Sequence, residues 1–228
     1  MEIGTNDWSN FLINQAKIID IQLDHTQNHL FAIHAMELIK WNHKINITTI
    51  TDPVEVASSH FLDSLVPARF IPSDATMLDI GSGGGFPGIP LKVFLPKLSV
   101  TLIDASRKKT SFLKHVIRSL KLEHIEALHM RAEDLAIQPS FINRFDVVIS
   151  RALSSLDAFV RLALPLLTNG GVIIALKGEV EKAELDNLRN NVLKKMNSGG
   201  STDRRFTISR ERYSLPTLNA ERSVITVR

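Results

Sequence analysis

The stretch LDIGSGGGFPGIPL, residues 78–91, limits the possible folds of this 228-residue chain more than any other segment. It holds five glycines between an apolar run and a segment that is compatible with a helix. A glycine-rich turn between a strand and a helix is typical of parallel α/β sheets. There it lies at the carboxyl ends of the strands and lets a ligand approach the backbone closely. The sequence therefore predicts a ligand-binding turn at this position.

After residue 72 the chain alternates between short apolar runs and helical patterns. Strands are predicted at 76–80, 99–104, 125–130, 145–150 and 171–177, and the helical patterns between them include 111–120 and 155–167. Such alternation predicts parallel βαβ units. Two β-like runs, 204–215 and 221–228, are joined by 216–220 and predict an antiparallel hairpin at one sheet edge. The predicted fold class is α/β, with a doubly wound, Rossmann-like sheet and a C-terminal hairpin.

The segment before this sheet has the periodicity of helices. Apolar residues recur at helical spacing in two stripes, which are Leu12, Ala16 and Ile19, and then Phe31, Ala35, Leu38 and Trp41. The sequence therefore predicts an N-terminal helical cap, residues 1–72, followed by one compact ligand-binding domain, residues 73–228.

Composition excludes several classes of function. A chain without cysteine has no disulfide, thiolate metal site or cysteine nucleophile. No apolar run approaches the roughly 18 residues that a membrane helix needs, and the N-terminus lacks the features of a signal peptide. These features predict a cytoplasmic protein that binds neither a membrane nor a metal. The formal net charge of +3 permits an anionic partner.

The spacing of the glycines indicates the ligand. Dinucleotide-binding turns have glycine at the first, third and sixth positions. Here Gly81, Gly83 and Gly85 take the first, third and fifth, and Phe86 takes the sixth. Asp79 suits a ligand with a cationic amine better than a pyrophosphate, because like charges repel. The pattern D-x-G-x-G-x-G is similar to the first motif of S-adenosylmethionine-dependent methyltransferases.

Charged residues at three predicted strand ends extend this site. Asp104 can accept hydrogen bonds from both hydroxyls of a ribose, or alternatively cap the helix that follows it. Arg151 can clamp the methionine carboxylate or donate to guanine O6, or alternatively form a structural ion pair with Asp79 or Asp146. Lys177, at the end of the fifth strand, is a weaker candidate of the same kind.

Six segments occur in an order and spacing that one enzyme family shares: KWNHKINITTI (40–50), HFLDSL (60–65), LDIGSGGGFPGIPL (78–91), LIDASRK (102–108), ISRAL (149–153) and ALKGE (175–179). Over nearly its whole length the chain resembles the bacterial 16S rRNA methyltransferase G family, first known as glucose-inhibited division protein B. The resemblance implies a class I methyltransferase fold and S-adenosylmethionine as the cofactor. It further implies methylation of N7 of a guanosine in the 530 loop of 16S rRNA. We expect this RNA to be met within a small-subunit particle and the enzyme to be a monomer, while naked RNA, a precursor particle and the assembled subunit all stay open as the form of the substrate.

The resemblance also assigns cofactor contacts. Carried over by position, they fall on Gly81, Phe86, Ala132, Glu133 and Arg151. In this fold the loop after the third strand reaches the adenine, although acids at the start of a helix are more often simple charge compensation. The family usually has a basic residue before the histidine of the H-x-x-D-S motif, and this chain has Ser59 there.

Beside the resemblance, several residues are candidates for shaping the guanosine pocket: Asn42, Asn46, Thr48, His60 and Asp63. By propensity alone the first three are turn and cap residues. His60 is then a satisfied helix histidine, and Asp63 either pairs with it or caps a neighbour. Guanine N7 has a lone pair and no proton to lose, so its methylation needs neither a nucleophile nor a base. Arg151 is therefore expected to align substrate and cofactor rather than to move a proton.

A basic stripe predicts contact with RNA. Arg107, Lys114, Arg118 and Lys121 lie at offsets that share one helical face, with apolar residues on the opposite side. A solvated face is the usual explanation of such a stripe, but four cations without an acid among them favour contact with phosphates.

Three alternatives stay open. The first is a nicotinamide-dependent oxidoreductase of the same architecture, against which Phe86 at the sixth position argues. The second is a non-catalytic RNA- or nucleotide-binding module, which would not need Asp79, Asp104 and Arg151 around one crevice. The third, a methyltransferase acting on a small molecule, is disfavoured only by the family resemblance.

Overall fold

The computed structural model describes residues 1–135, 137–151, 155–190 and 206–228, with backbone alone for residues 219 and 220. The α-helices are α1 Asn6–Ile18, α2 His25–Ile45, α3 Pro53–Glu55, α4 Asp63–Leu65, α5 Gly88–Phe94, α6 Arg107–Ser119, α7 Ala132–Leu135, α8 Leu156–Ala163 and α9 Lys182–Leu188. A π-helix, Val56–Leu62, joins α3 to α4, and short 3₁₀ helices span Val66–Phe70, Pro139–Phe141 and Leu164–Leu166. The strands are β1 Thr76–Ile80, β2 Ser99–Asp104, β3 Ile125–His129, β4 Phe145–Arg151, β5 Leu167–Lys177, β6 Ile208–Leu215 and β7 Leu218–Val227.

These strands form one sheet in the order β3-β2-β1-β4-β5-β7-β6. Strands β1 to β5 pair in parallel, whereas β7 runs antiparallel to both β5 and β6. The strand order reverses between β1 and β4, so the carboxyl ends of these two strands flank the crevice in which doubly wound sheets bind ligands. The predicted fold class and the C-terminal hairpin are confirmed.

Strands β1 to β4 agree with the predicted bounds to within one residue, whereas β5 and the hairpin differ more. Helix α6 begins four residues before the predicted pattern, and α8 ends four residues before the end of its pattern. Strand β5 begins at Leu167 rather than 171, because Leu167 already pairs with Phe145 of β4. The register then shifts before the next pair, Val147 with Val172. The hairpin turn spans only residues 216–217, since β7 begins at Leu218. Residues 204–205 of the predicted hairpin and 152–153 of the ISRAL segment lie outside the described residues.

Both N-terminal helices form where the apolar stripes predicted them. The side chain of Thr5 caps α1, and Asp24 and Gln27 form a reciprocal capping box at the start of α2. Their stripes face inward: Leu12, Ala16, Phe31, Ala35 and Leu38 are fully buried, while Ile19 and Trp41 are partly buried.

One apolar cluster joins these helices to a face of the sheet. It contains Phe31 and Phe61 from the N-terminal part together with Met77, Phe86 and Phe112. A second cluster fills the opposite face, between the sheet and helices α8 and α9. The shared cluster places the N-terminal helices directly against the glycine turn. The division of the chain at residue 72 stays a prediction.

None of the described helices combines the length and the apolar character that crossing a membrane requires. Within the same residues, no group of three or more His, Asp or Glu side chains is placed to hold a metal ion.

Candidate active site

The glycine turn takes a backbone shape that needs glycine at three positions. Gly81, Gly83 and Gly85 have φ values of 74°, 55° and 91°, in the region that other L-residues rarely adopt. The amides of Gly81 and Ser82 both donate to the carbonyl oxygen of Ile103, at 2.9 and 3.0 Å. The turn is thereby attached to the end of β2.

Among the glycines of residues 81–88, two face open space, and two others are packed against protein. A Cβ on Gly81 would meet nothing within 4 Å, and one on Gly83 only a backbone oxygen at 3.8 Å. A Cβ on Gly85 would lie 2.5 Å from Ile89, and one on Gly88 would lie 2.7 Å from Oδ2 of Asp79. Gly81 and Gly83 therefore form an open backbone cradle, whereas Gly85 serves close packing. This division was not predicted from the spacing.

Asp79, two residues before this cradle, is fully buried. Its Oδ2 accepts a hydrogen bond from the amide of Gly88 at 2.9 Å, while Oδ1 is buried and has no partner among the described residues. Burial raises the pKa of Asp79 to about 7. An unpartnered carboxylate oxygen is strongly stabilised by a cationic donor, so this position fits the ammonium group that the sequence predicted for the ligand.

Asp104 fixes the turn from the neighbouring strand. Its Oδ2 accepts from the amide of Gly83 at 3.0 Å, and its Oδ1 accepts from the amide of Ser106 at 2.7 Å. The N-cap of α6 is Ser106, whose side chain accepts from Lys109, so the alternative that Asp104 caps this helix is wrong. Each oxygen retains a lone pair for a further donor.

The third predicted element follows β3. Ala132 and Glu133 begin α7, Ala132 half-buried and Glu133 exposed. The amide of Met130 donates to the carbonyl oxygen of Asp104 at 3.2 Å, which holds this loop beside the end of β2. Both residues thus lie at the same sheet edge as the glycine turn.

Phe86 closes the turn on its other side. Its ring stacks against His34 and His60, with centroids 4.8 and 4.4 Å apart and interplanar angles of 12° and 6°. His34, from α2, also binds the carbonyl oxygen of Gly84 through Nε2 at 2.8 Å. A carbonyl only accepts, so Nε2 carries the proton, and burial lowers the pKa of His34 to about 4.

His34 was missed from the sequence. The signal was a histidine three residues after Phe31 and four before Leu38, on the buried stripe of α2. A histidine in this position needs a polar partner, and the glycine turn supplies one.

Arg151, the last residue of β4, reaches across the crevice to the N-terminal segment. Its Nη1 donates to the carbonyl oxygen of Ser59 at 2.6 Å and lies 3.4 Å from Oδ2 of Asp63. The guanidinium also lies 5.2 Å from the centroid of the Phe86 ring. The predicted structural partners, Asp79 and Asp146, are both wrong. Asp146 instead binds the side chains of Thr76 and Thr168.

Asp63 is the centre of a buried network. Its Oδ2 accepts from Nη1 of Arg222 at 3.1 Å as well as from Arg151, and its Oδ1 accepts from the hydroxyl of Tyr213 at 2.7 Å. Asp63 is fully buried, and it joins the N-terminal segment, β4 and both hairpin strands. The expectation that Asp63 pairs with His60 is wrong.

His60 is neutral and fully engaged. Its Nδ1 lies 3.3 Å from Nη2 of Arg151, a group that only donates, so the ring proton is on Nε2, which faces Oγ1 of Thr48 at 3.0 Å. Burial and the charge of Arg151 lower the pKa of His60 to about 3. Asn42 holds the loop after α2 by accepting from the amides of residues 47 and 48, and the exposed Asn46 ends that helix at φ 49°.

An open cleft of about 330 Å³ lies beside Arg151, at the carboxyl ends of β4 and β5. Ser59, His60, Lys177 and Arg222 also line it. Lys177 forms an ion pair with Glu184 of α9. Arg222 was missed from the sequence, where a single arginine near the start of a predicted strand carries no signal.

The predicted basic stripe is exposed on α6. Arg107, Lys114, Arg118 and Lys121 are solvent-accessible, and none forms an ion pair with any described residue. Lys121 lies beyond the end of the helix, at φ 51°. Phe112, Leu113 and Val116 are buried on the opposite side, as predicted.

A family model described as rRNA small subunit methyltransferase G matches residues 27–203, well over half of the chain. The chain belongs to this family. The predicted family is thus confirmed and, with it, the class of enzyme, a methyltransferase. Neither the oxidoreductase nor the non-catalytic module finds support.

Curated relatives agree with the methyltransferase G family. The ribosomal RNA small subunit methyltransferase G of Geobacter sulfurreducens is 45% identical over 161 residues, which cover 70% of this chain and 73% of the relative. That of Oceanobacillus iheyensis is 36% identical over 209 residues, covering 91% and 84%.

Solved structures share the fold at low identity. An O-methyltransferase from Bacillus cereus, in complex with SAH, superposes with a TM-score of 0.61 at 18% identity and covers 97% of this chain and 98% of that one. A SAM-dependent methyltransferase from Aquifex aeolicus has a TM-score of 0.56 at 16% identity, covering 85% and 97%. At these identities the likeness concerns the fold alone, and it confirms the class I methyltransferase architecture.

Proposed function

We propose that this member of the methyltransferase G family transfers the methyl group of S-adenosylmethionine to N7 of a guanosine in the 530 loop of 16S rRNA. The observation that carries the proposal is the unpartnered, buried oxygen of Asp79, two residues before the open cradle of Gly81 and Gly83. The cofactor offers an ammonium group, and a buried carboxylate without a partner is costly unless a cation meets it.

The cofactor site proposed here consists of Asp79, Gly81, Gly83, Gly85, Phe86, Asp104, Ala132, Glu133 and Arg151. When bound, S-adenosylmethionine supplies an electrophilic methyl group on a sulfonium. The carboxylate of Asp104, held in place by Gly83 and Ser106, can accept from ribose hydroxyls. The planar fork of Arg151 can donate to a carboxylate.

The side chains near the crevice support an acceptor atom that has no proton to lose. The chain has no cysteine nucleophile. Both nitrogens of His60 are engaged, and Nε2 of His34 is held by Gly84. Nδ1 of His34 has no partner among the described residues, but this side chain is fully buried and does not face an acceptor through solvent. Asp79 lies under the glycine turn with Gly88 on one oxygen. Alignment of the N7 lone pair and management of charge by Arg151 are then the chain's contributions.

The partner in this proposal is the small-subunit particle, approached through the basic face of α6. The exposed cations on that face, from Arg107 to Lys121, contact phosphates, and Asn42, Asn46, His60, Asp63 and Lys177 border the acceptor pocket. The enzyme acts as a cytoplasmic monomer, and no step of the proposal requires a metal.

Replacing one atom of the RNA tests the proposed acceptor. Small subunits reconstituted with 7-deazaguanosine at the target position should bind the enzyme but accept no methyl group, because the analogue has carbon in place of N7. Transfer from labelled S-adenosylmethionine measures this, with guanosine-containing subunits as the control. Methylation of the analogue would contradict N7 as the acceptor. Mapping N7-methylguanosine in small-subunit RNA from cells with and without the protein supplies the cellular readout.

A further inference from the structure

The cleft beside Arg151 carries an excess of positive charge. Among the described residues, three cations and no carboxylate line it, the cations being Arg151, Lys177 and Arg222. Two acids lie behind these side chains, Glu184 against Lys177 and Asp63 against the two arginines. His60 is neutral, as its lowered pKa indicates. One positive charge therefore has no counter-charge within this group. The next acid that acts on Arg151 is Asp79, which does not line the cleft and whose pKa burial raises to about 7.

Asp63 cannot neutralise this remaining positive charge, because both of its oxygens are already engaged. Its Oδ1 is held by the hydroxyl of Tyr213, and its Oδ2 is shared by Arg151 and Arg222. Tyr213 and Arg222 lie directly opposite each other on β6 and β7, so the hairpin delivers both groups to this carboxylate together. A single carboxylate oxygen shared by two guanidiniums leaves donors on both of them unused.

Arg222 shows this shortage most clearly. Its side chain is only 25% exposed, yet Nε is buried without a partner and Asp63 is its one ion-pair partner among the described residues. Holding a partly buried guanidinium with unused donors is costly unless an anion meets it. Arginine forks match the geometry of phosphate oxygens especially well.

The glycine residues of the turn do not line this cleft, and the turn meets it only where Phe86 stacks on His60 and lies beside Arg151. An anion that pairs with Arg222 would therefore enter through the open cleft and not through the cofactor cradle. We propose that Arg222 and Lys177, with Arg151 at the inner end, form an oxyanion site that binds a backbone phosphate next to the acceptor nucleotide of the RNA. This inference rests on the proposed function and adds to it the residues that hold the acceptor.

Changing Arg222 tests this site. For Arg222→Gln, acting on small subunits from a strain that lacks the methyltransferase, kcat/KM for the particle should fall about 10- to 100-fold. The log–log salt slope of particle binding should fall by about 0.7, the value for one phosphate on a single strand. The Kd for S-adenosylhomocysteine, measured by calorimetry, should stay within twofold. The matched control is Arg212→Gln, which removes an exposed arginine of the same hairpin. It should change neither kcat/KM nor the Kd by more than twofold and should leave the salt slope unchanged.

A second variant keeps the test decisive if Arg222→Gln fails to fold. Arg222→Lys retains a cation for Asp63, but its single ammonium cannot serve the carboxylate and a phosphate as a fork does, so kcat/KM should still fall about tenfold with an unchanged melting temperature. A wild-type kcat/KM in Arg222→Lys would overturn the proposal. So would a loss of S-adenosylhomocysteine affinity equal to the loss in kcat/KM, which would identify the anion as the cofactor's carboxylate. Either result leaves the proposed function standing, because N7 methylation is measured independently.

Discussion

The glycine turn and the Asp63 network meet at Phe86 and Arg151 but come from very different parts of the chain. The turn, its buried acid Asp79 and its tether Asp104 all lie within residues 79–104. Asp63 instead takes partners that are 88, 150 and 159 residues away in sequence. The cofactor half is thus a local backbone shape, whereas the acceptor half exists only after the sheet and hairpin have assembled. Substitutions in the cofactor half should accordingly affect ligand binding most, and substitutions in the acceptor half should affect stability most.

The largest expected effect is in the local half. Gly83→Val should abolish binding of S-adenosylhomocysteine, with affinity falling more than about 100-fold, because a side chain at φ 55° would occupy the open cradle. Calorimetry measures the affinity and urea unfolding the stability. The control is Gly170→Val at the start of β5, where φ is 80° and the surroundings are equally open. Both variants should lose about 1–3 kcal/mol of stability, but only Gly83→Val should lose the ligand. Equal loss of binding in both would mean that strain, and not occupied space, prevents it.

This contrast also explains how much could be predicted. Glycine spacing and an acid at each strand end are local signals, so the cradle and the positions of Asp79 and Asp104 followed from the sequence. The same reasoning made β1 and β2 predictable to the residue. The predicted ion-pair partners of Arg151 were wrong. Asp79 and Asp146 lie on the same or the neighbouring strand of the predicted sheet, whereas the actual partner, Asp63, lies in the helical segment. Arg222 was missed for the same reason, since only the β6–β7 register brings it to the crevice.

The next largest effect should be on stability in the assembled half. Asp63→Asn leaves two guanidiniums without their shared carboxylate and should lower the free energy of unfolding by about 3 kcal/mol. This value is near the lower end of the cost of breaking a buried ion pair, because the side chains of both arginines are partly exposed to solvent. Urea unfolding measures it. Asp157→Asn, which breaks a solvent-exposed pair with Arg161 within α8, should cost much less. If the two costs were equal, the network would be no more than a surface ion pair and the comparison of the two halves would fail.

Asp104→Ala should have a smaller effect that again affects the ligand. The variant loses the acceptor for ribose hydroxyls and the tether to Gly83, so affinity for S-adenosylhomocysteine should weaken by about 1.5–3 kcal/mol. Turnover at saturating cofactor should change much less, because the ribose is remote from the methyl group. Ser106→Ala removes the helix cap alone and should leave affinity unchanged. If Ser106→Ala weakened binding as much as Asp104→Ala, the role of Asp104 would be to start α6.

The smallest effect should come from the basic face of α6. Substitutions there test whether this helix also binds the RNA or whether the cleft beside Arg151 binds it alone. Lys114 and Arg118 are exposed without ion pairs, so replacing both with Gln should leave stability within about 0.5 kcal/mol of wild type. If each contacts one phosphate, the log–log salt slope of particle binding should fall by about 1.4–2 units, since each contact contributes roughly 0.7–0.9. The control pair, Lys17→Gln with Lys97→Gln, removes the same charge from exposed positions outside the basic face, one near the end of α1 and one before β2. A general loss of net charge would lower the slope equally in both pairs, whereas phosphate contact lowers it only in the α6 pair. An unchanged slope in the α6 pair would make that face merely solvated and leave the cleft around Arg222 as the principal phosphate contact.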